Sequence, residues 1–260
     1  MNSWVALVRK EFLLTRGIFV GGLIFIFIVW GFSFVLDSFI SSERNALTLQ
    51  VNSMTFAGPA MLTLMSAGIF MHFLYLSVYI IISMQKEMDT LHWWLHSPKS
   101  MPALLLAKLT SGVISIICSL LVNGSIVLFL IISTNVMAEI SVGDIILLAV
   151  QGGLLVVLTS LYLSICVLFF IAVYLTLRGR IGNWSWVVVI LLFIVISSMS
   201  EKISESSFYN AITHWGEFEL RAISTFRLGT AHMGEMLFHI ILAVVIFVIS
   251  ALLIDRKVEV

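Results

Sequence analysis

His92 and His96 stand four residues apart, one helical turn, a spacing at which two imidazoles can share a metal ion. No third ligand of suitable spacing accompanies them, so a docking or interfacial role fits the pair better than a metal site. A G-x-x-x-x-G-K-[ST] phosphate loop is absent from the sequence, as are G-x-S-x-G, H-E-x-x-H and paired-cysteine metal motifs. The expectation is a chain that is not an enzyme, with no catalytic residue, metal or cofactor of its own. His72 is the only histidine deep in an apolar run, close in sequence to Tyr75 and Tyr79. It either lines a pathway or makes an inter-helix hydrogen bond. Cys118 and Cys166 both fall inside apolar runs and read as small packing residues.

The densest polar chemistry in the first half of the chain is MQKEMDTLHWWLHSPKSMPALLLAK, Met84 to Lys108. Lys86, Glu87, Asp89, Lys99 and Lys108 supply charge, and Trp93 and Trp94 sit between them. Pro98 and Pro102 close the segment, because neither continues a helix from within. Residues 86–96 read as a short helix mixing polar and aromatic groups. Tryptophans often serve only as interfacial anchors. Placed between acidic Glu87 and Asp89 and the Ser97-Pro98-Lys99 stop, they read as a docking surface.

The elements that hold this segment are apolar. Of 260 residues, 60% are hydrophobic and 11% charged, whereas soluble domains carry about one-quarter charge. The fold class expected is therefore all-α integral membrane, as a single transmembrane domain over residues 1–260. Zero net charge excludes a basic nucleic-acid face. Residues 4–16 predict a helix lying at the membrane surface, with Trp4, Arg9, Lys10, Glu11 and Arg16, or else a basic anchor before the first span. Spans are predicted at about 17–36, 56–84, 104–132, 144–177, 183–199 and 236–254, with a tight turn at Arg178–Arg180. The first run is too long for a signal core and lacks a cleavage site, so it is expected to stay in the mature protein. Residues 200–233 carry Phe208, Tyr209, Trp215, Phe218 and Phe226. They predict short helices re-entering the outer leaflet, or a plain loop with interfacial aromatics.

Six spans place both termini on one side. If that side is cytoplasmic, ten of the fourteen Lys and Arg residues lie inside, leaving Arg44, Lys202, Arg221 and Arg227 outside. The docking segment then faces the cytosol.

The segment QKEMDTLHWWLHSPKSMPALLLAK resembles the cytoplasmic signature of ABC-2 type permeases. In that family the second span ends in an acidic residue, followed by Thr-Leu, further leucines, Ser-Pro and a lysine opening the third span. The matching positions here are Glu87, Thr90, Leu91, Leu95, Ser97, Pro98 and Lys108. This chain has Asp89 where the family commonly has glycine. The opening ALVRKEFLLTRG is similar to the family's interfacial helix. The resemblance implies the transmembrane subunit of a bacterial ATP-binding-cassette exporter in the cell membrane. Residues 84–103, with Glu87, Asp89, Thr90, Leu91, His92, Trp93, Trp94, Leu95, Ser97 and Pro98, would couple it to two copies of a separate cytoplasmic ATPase carrying ATP and Mg. A second permease, identical or not, would complete the pathway in contact with membrane lipid. Family members of this size export peptides and toxins, or confer immunity to them. An amphipathic or lipid-like substrate would meet Phe25, Phe32, Met61, Met65, His72 and Tyr75. The alternatives are a stand-alone channel or secondary transporter, and a peptide-immunity or sensing subunit.

Overall fold

The computed structural model describes residues 3–41, 50–51, 54–55, 59–88, 99–133, 142–223 and 226–257. The bundle is helical: α1 (Ser3–Ser41), α2 (Pro59–Met88), α3 (Met101–Ser133), α4 (Val142–Ile181), α5 (Ser185–Ser204), the short α6 (Ser207–Thr213) and α7 (Met233–Lys257). Two antiparallel pairs accompany them, β1 (Gln50–Val51) with β2 (Met54–Thr55) and β3 (Glu217–Ile223) with β4 (Phe226–His232). Five described stretches are long and apolar enough to cross a membrane: Trp4–Phe32, Gly68–Glu87, Met101–Phe129, Ile146–Ser204 and Met233–Asp255.

Local chemistry explains where the helices stop. Pro59 opens α2, where a missing N–H costs nothing. The Ser100 carbonyl accepts from Ala103 N at 3.0 Å and Leu104 N at 3.2 Å, starting α3 with Pro102 in its first turn. Arg178 and Arg180 lie in the last turn of α4, where cations oppose the negative end of the helix dipole. The turn expected at Arg178–Arg180 falls later, at Gly182–Trp184, because Gly182 alone there takes the left-handed φ of +59°. Beyond it the chain folds back. Phe170 on α4 and Phe193 on α5, nearly equidistant from the turn, bring their ring centroids within 5.7 Å.

Two expectations change. The helix predicted over 4–16 is no separate surface element, since α1 runs unbroken from Ser3 to Ser41. Gly17 does not interrupt it, for a mid-helix glycine weakens a helix by only about 1 kcal/mol. Residues 200–233 contain one short helix, α6, and then a hairpin in place of re-entrant helices. The Ser206 side chain caps α6 by accepting from Tyr209 N at 3.2 Å. The run EFELRAI alternates charged and apolar residues from Glu217 to Arg221, a period of two that suits a strand. Gly216, at φ +68°, makes the entry, and a side chain there would strike Met233.

The packed core lies at one end of the bundle. It joins Leu76, Ile80 and Met84 late in α2, Leu104 and Leu105 early in α3, Leu168 and Leu175 late in α4, and Ile254 late in α7, with Leu7 of α1 against them. The first turns of α1 and the last of α7 therefore share an end. Helix contact in a bilayer gains little from hydrophobicity and depends on close fit, so small residues sit at the crossings. Ala107, Ser160 and Ser164 are buried, and a methyl group on Gly112 would overlap Leu76 and Tyr79.

Candidate functional site

At this packed end three helices bring ionised side chains into the interior. Glu11 and Thr15 are one turn apart on α1, and Tyr79, Ser83 and Glu87 recur every four residues on α2, so each set shares a face. Lys108 enters from the second turn of α3 and is fully buried. Its ammonium has three protons and meets three oxygens: Glu11 Oε2 at 2.6 Å, Glu87 Oε2 at 2.7 Å and Ser83 Oγ at 3.0 Å. The carboxylates of Glu11 and Glu87 are almost as inaccessible as Lys108. Lys10, largely exposed, stands 3.8 Å from Glu11 and 3.7 Å from Glu87, so among the described residues two carboxylates face two ammonium groups and these four charges balance. Neutrality matters because an uncompensated charge at such a place costs several kcal/mol, on the order of 3–5 when one partner is removed. Nearby, Lys86 donates to the Leu14 carbonyl at 2.9 Å, a second tie between α2 and α1.

A polar seam continues from the cluster along the contact of α1, α2 and α3. The Thr15 hydroxyl donates to Tyr79 Oη at 2.7 Å, and Tyr79 donates to Ser111 Oγ at 2.9 Å. Further along, His72 Nδ1 lies 2.7 Å from the Gly68 carbonyl, which can only accept. That nitrogen therefore carries the proton, and in the neutral ring Nε2 accepts from Ser119 at 3.1 Å. The seam reaches Asn123, whose Oδ1 accepts from Trp30 Nε1 at 2.9 Å.

Among the described residues, those singled out in the sequence fall in different settings. Asp89, Thr90, Leu91, His92, Trp93, Trp94, Leu95, His96, Ser97 and Pro98 lie outside the described residues. Glu87, expected on the docking surface, is buried in the ion cluster instead. Glu11, expected at the membrane surface, is buried beside it, while Trp4, Arg9, Lys10 and Arg16 are exposed. Phe25 and Phe32 are exposed on α1, whereas His72 is buried and Tyr75 half-buried on α2, and the side chains of Met61 and Met65 are outside the described ones.

Sequence reading passed over Thr15, Ser83 and Ser111, and took Lys108 as a charge of the docking segment and the lysine opening the third span. The signal was present: Lys108, Ser111, Ser115, Ser119 and Asn123 repeat every three or four residues through an otherwise apolar helix. That stripe is the face α3 turns inward, and all five residues are buried.

Among the described residues no group of three or more His, Cys, Asp or Glu side chains is placed to hold a metal ion. The cluster ties three helices at one point. No protein-family model, curated protein or solved structure matches the chain.

Proposed function

We propose that this chain is the transmembrane subunit of an ATP-binding-cassette exporter of the ABC-2 permease kind, working as a dimer with two separate ATPase chains. One observation carries the reading beyond the resemblance. Glu87 and Lys108, which bracket the docking segment in sequence, meet 2.7 Å apart inside the bundle. A segment rising from a clamped base passes a push to α2 and α3 together, and through Glu11 to α1. Closure of an ATPase pair on ATP and Mg would then move three spans as one body.

The fold-back at Gly182 supports counting Ile146–Ser204 as two crossings, which makes six in all. With the first turns of α1 and the last of α7 at one end, the Lys and Arg bias favours a cytosolic setting for that end, in the bacterial cell membrane. The pathway would form between two permeases, and its exposed apolar helices suit an amphipathic peptide or a lipid-like cargo. His72, a titratable group inside the bundle, is the specific observation that favours a secondary transporter instead.

Co-expression of the full chain with ATP-binding-cassette ATPase chains tests the proposal. The wild-type chain captures an ATPase and stimulates its hydrolysis in lipid vesicles, and Trp94→Ala reduces both several-fold. Failure to capture any such ATPase, together with transport driven by a proton gradient and lost in His72→Gln, would replace this reading with the secondary transporter.

A further inference from the structure

The outward side of α1 at the packed end forms a groove against α3. Trp4, Val5, Val8 and Phe12 make one wall, at helical spacings that keep them on one face, and Thr110 and Ile114 make the other. The groove holds about 450 Å³, within the range of about 300–1,000 Å³ typical of small-ligand sites. Its walls ask nothing of a polar ligand. The Thr110 hydroxyl donates to the Leu106 carbonyl at 2.8 Å, and Ser111, at the back, accepts from Tyr79.

Among the described residues one cation stands in the lining, Arg9. Its neighbour Lys10 faces the ion cluster and lies near both Glu11 and Glu87. Arg9 is exposed and, among the described residues, has no carboxylate within ion-pair distance. A guanidinium offers a planar fork of donors that matches a phosphate oxygen pair. Trp4 sits in the same lining, and tryptophan favours the headgroup depth of a bilayer.

The geometry points to a binding site for one anionic phospholipid, its acyl chain between Val8, Phe12 and Ile114 and its phosphate on Arg9. The apolar walls with a single cation among them are complementary to a lipid with one charged phosphate and a hydrocarbon tail. The site sits on the helix that carries Glu11, with Val8 three residues before Glu11 and Phe12 three before Thr15, so lipid and ion cluster grip neighbouring sides of α1.

Native mass spectrometry on the full chain in neutral detergent tests this, with phosphatidylglycerol and phosphatidylcholine of identical acyl chains as probes. Wild type is expected to retain one phosphatidylglycerol at least several-fold better than phosphatidylcholine. Arg9→Gln, on an exposed side chain, removes that preference, and Arg16→Gln preserves it. Ile114→Trp, which fills the groove, lowers retention of both lipids. Equal retention of the two lipids by wild type, or an unchanged preference in Arg9→Gln, overturns the proposal. So does displacement of the lipid by glycerol phosphate, which would make the site one for a free phosphate. A change of oligomeric state in Ile114→Trp with lipid retention unaltered would make the groove a protein interface and equally overturn it.

Discussion

Lys108 has no route to water and depends wholly on its neighbours for the stability of its charge. Replacing it with methionine leaves Glu11 and Glu87 facing each other beside the exposed Lys10, and a loss of about 3–5 kcal/mol is expected. The thermal midpoint in detergent should fall accordingly. Removing all three charges together, as Glu11→Leu, Glu87→Leu and Lys108→Met, should restore much of that loss, since apolar replacements of buried ion clusters are often neutral or stabilising. If the triple variant stays as unstable as the single one, the cluster is held by more than its charge balance. The triple variant also separates fold from function, because it keeps the packing and lacks the tie. Gly112 gives a second residue-scale test. Gly112→Ala forces Leu76 and Tyr79 aside at an expected cost of about 1–3 kcal/mol, while Gly124→Ala, mid-helix with open space around it, should leave the midpoint no lower and raise it by up to about 1 kcal/mol equivalent.

Among the elements, α1 shows how a pattern can be read correctly residue by residue and still be divided wrongly. The basic residues and Trp4 look like a surface helix because surface helices carry such residues, and Gly17 looks like a boundary. Helical backbone tolerates a glycine, and the buried pair Glu11 and Thr15 fixes the first turns to α2 and α3. Gly17→Ala, with nothing within 4 Å of the added methyl, should therefore raise the midpoint by up to about 1 kcal/mol equivalent. A hinge at Gly17 would make the same change harmful. Apolar runs made the long membrane-type helices legible, though span two was started at 56 and span three at 104 where the helices begin at Pro59 and Met101. The hairpin of β3 and β4 was missed because its aromatics drew more notice than its alternation. The ion cluster was out of reach, since Glu11, Glu87 and Lys108 are far apart in sequence and only the packing of three helices unites them.

For the molecule as a whole, the fold-back at Gly182 decides how many times the chain crosses. With Cys118 and Cys166 replaced by serine, cysteines at 170 and 193 should be joined by a short bifunctional reagent, and cysteines at 170 and 204 should not. Linkage of neither pair would mean that α4 and α5 do not lie side by side. Packing is uneven along the bundle, dense where α1 begins and α7 ends. The firm end is the one that holds the charges, and it is also the end from which the segment between α2 and α3 departs.

That departure point has a consequence for how such a protein changes its associations. The Glu87–Lys108 contact lies within the bundle, so α2 and α3 are tied independently of the connecting residues 89–100. The sequence of that connection can drift without removing the tie, whereas Met101, Leu104 and Leu105 belong to the packed core. On the proposed function a new partner is acquired by rewriting about a dozen residues, and the cost of altering the length is small, since doubling a loop adds only about 0.6 kcal/mol. For the permease proposed above, interchangeability of that kind lets one membrane body serve a succession of different engines.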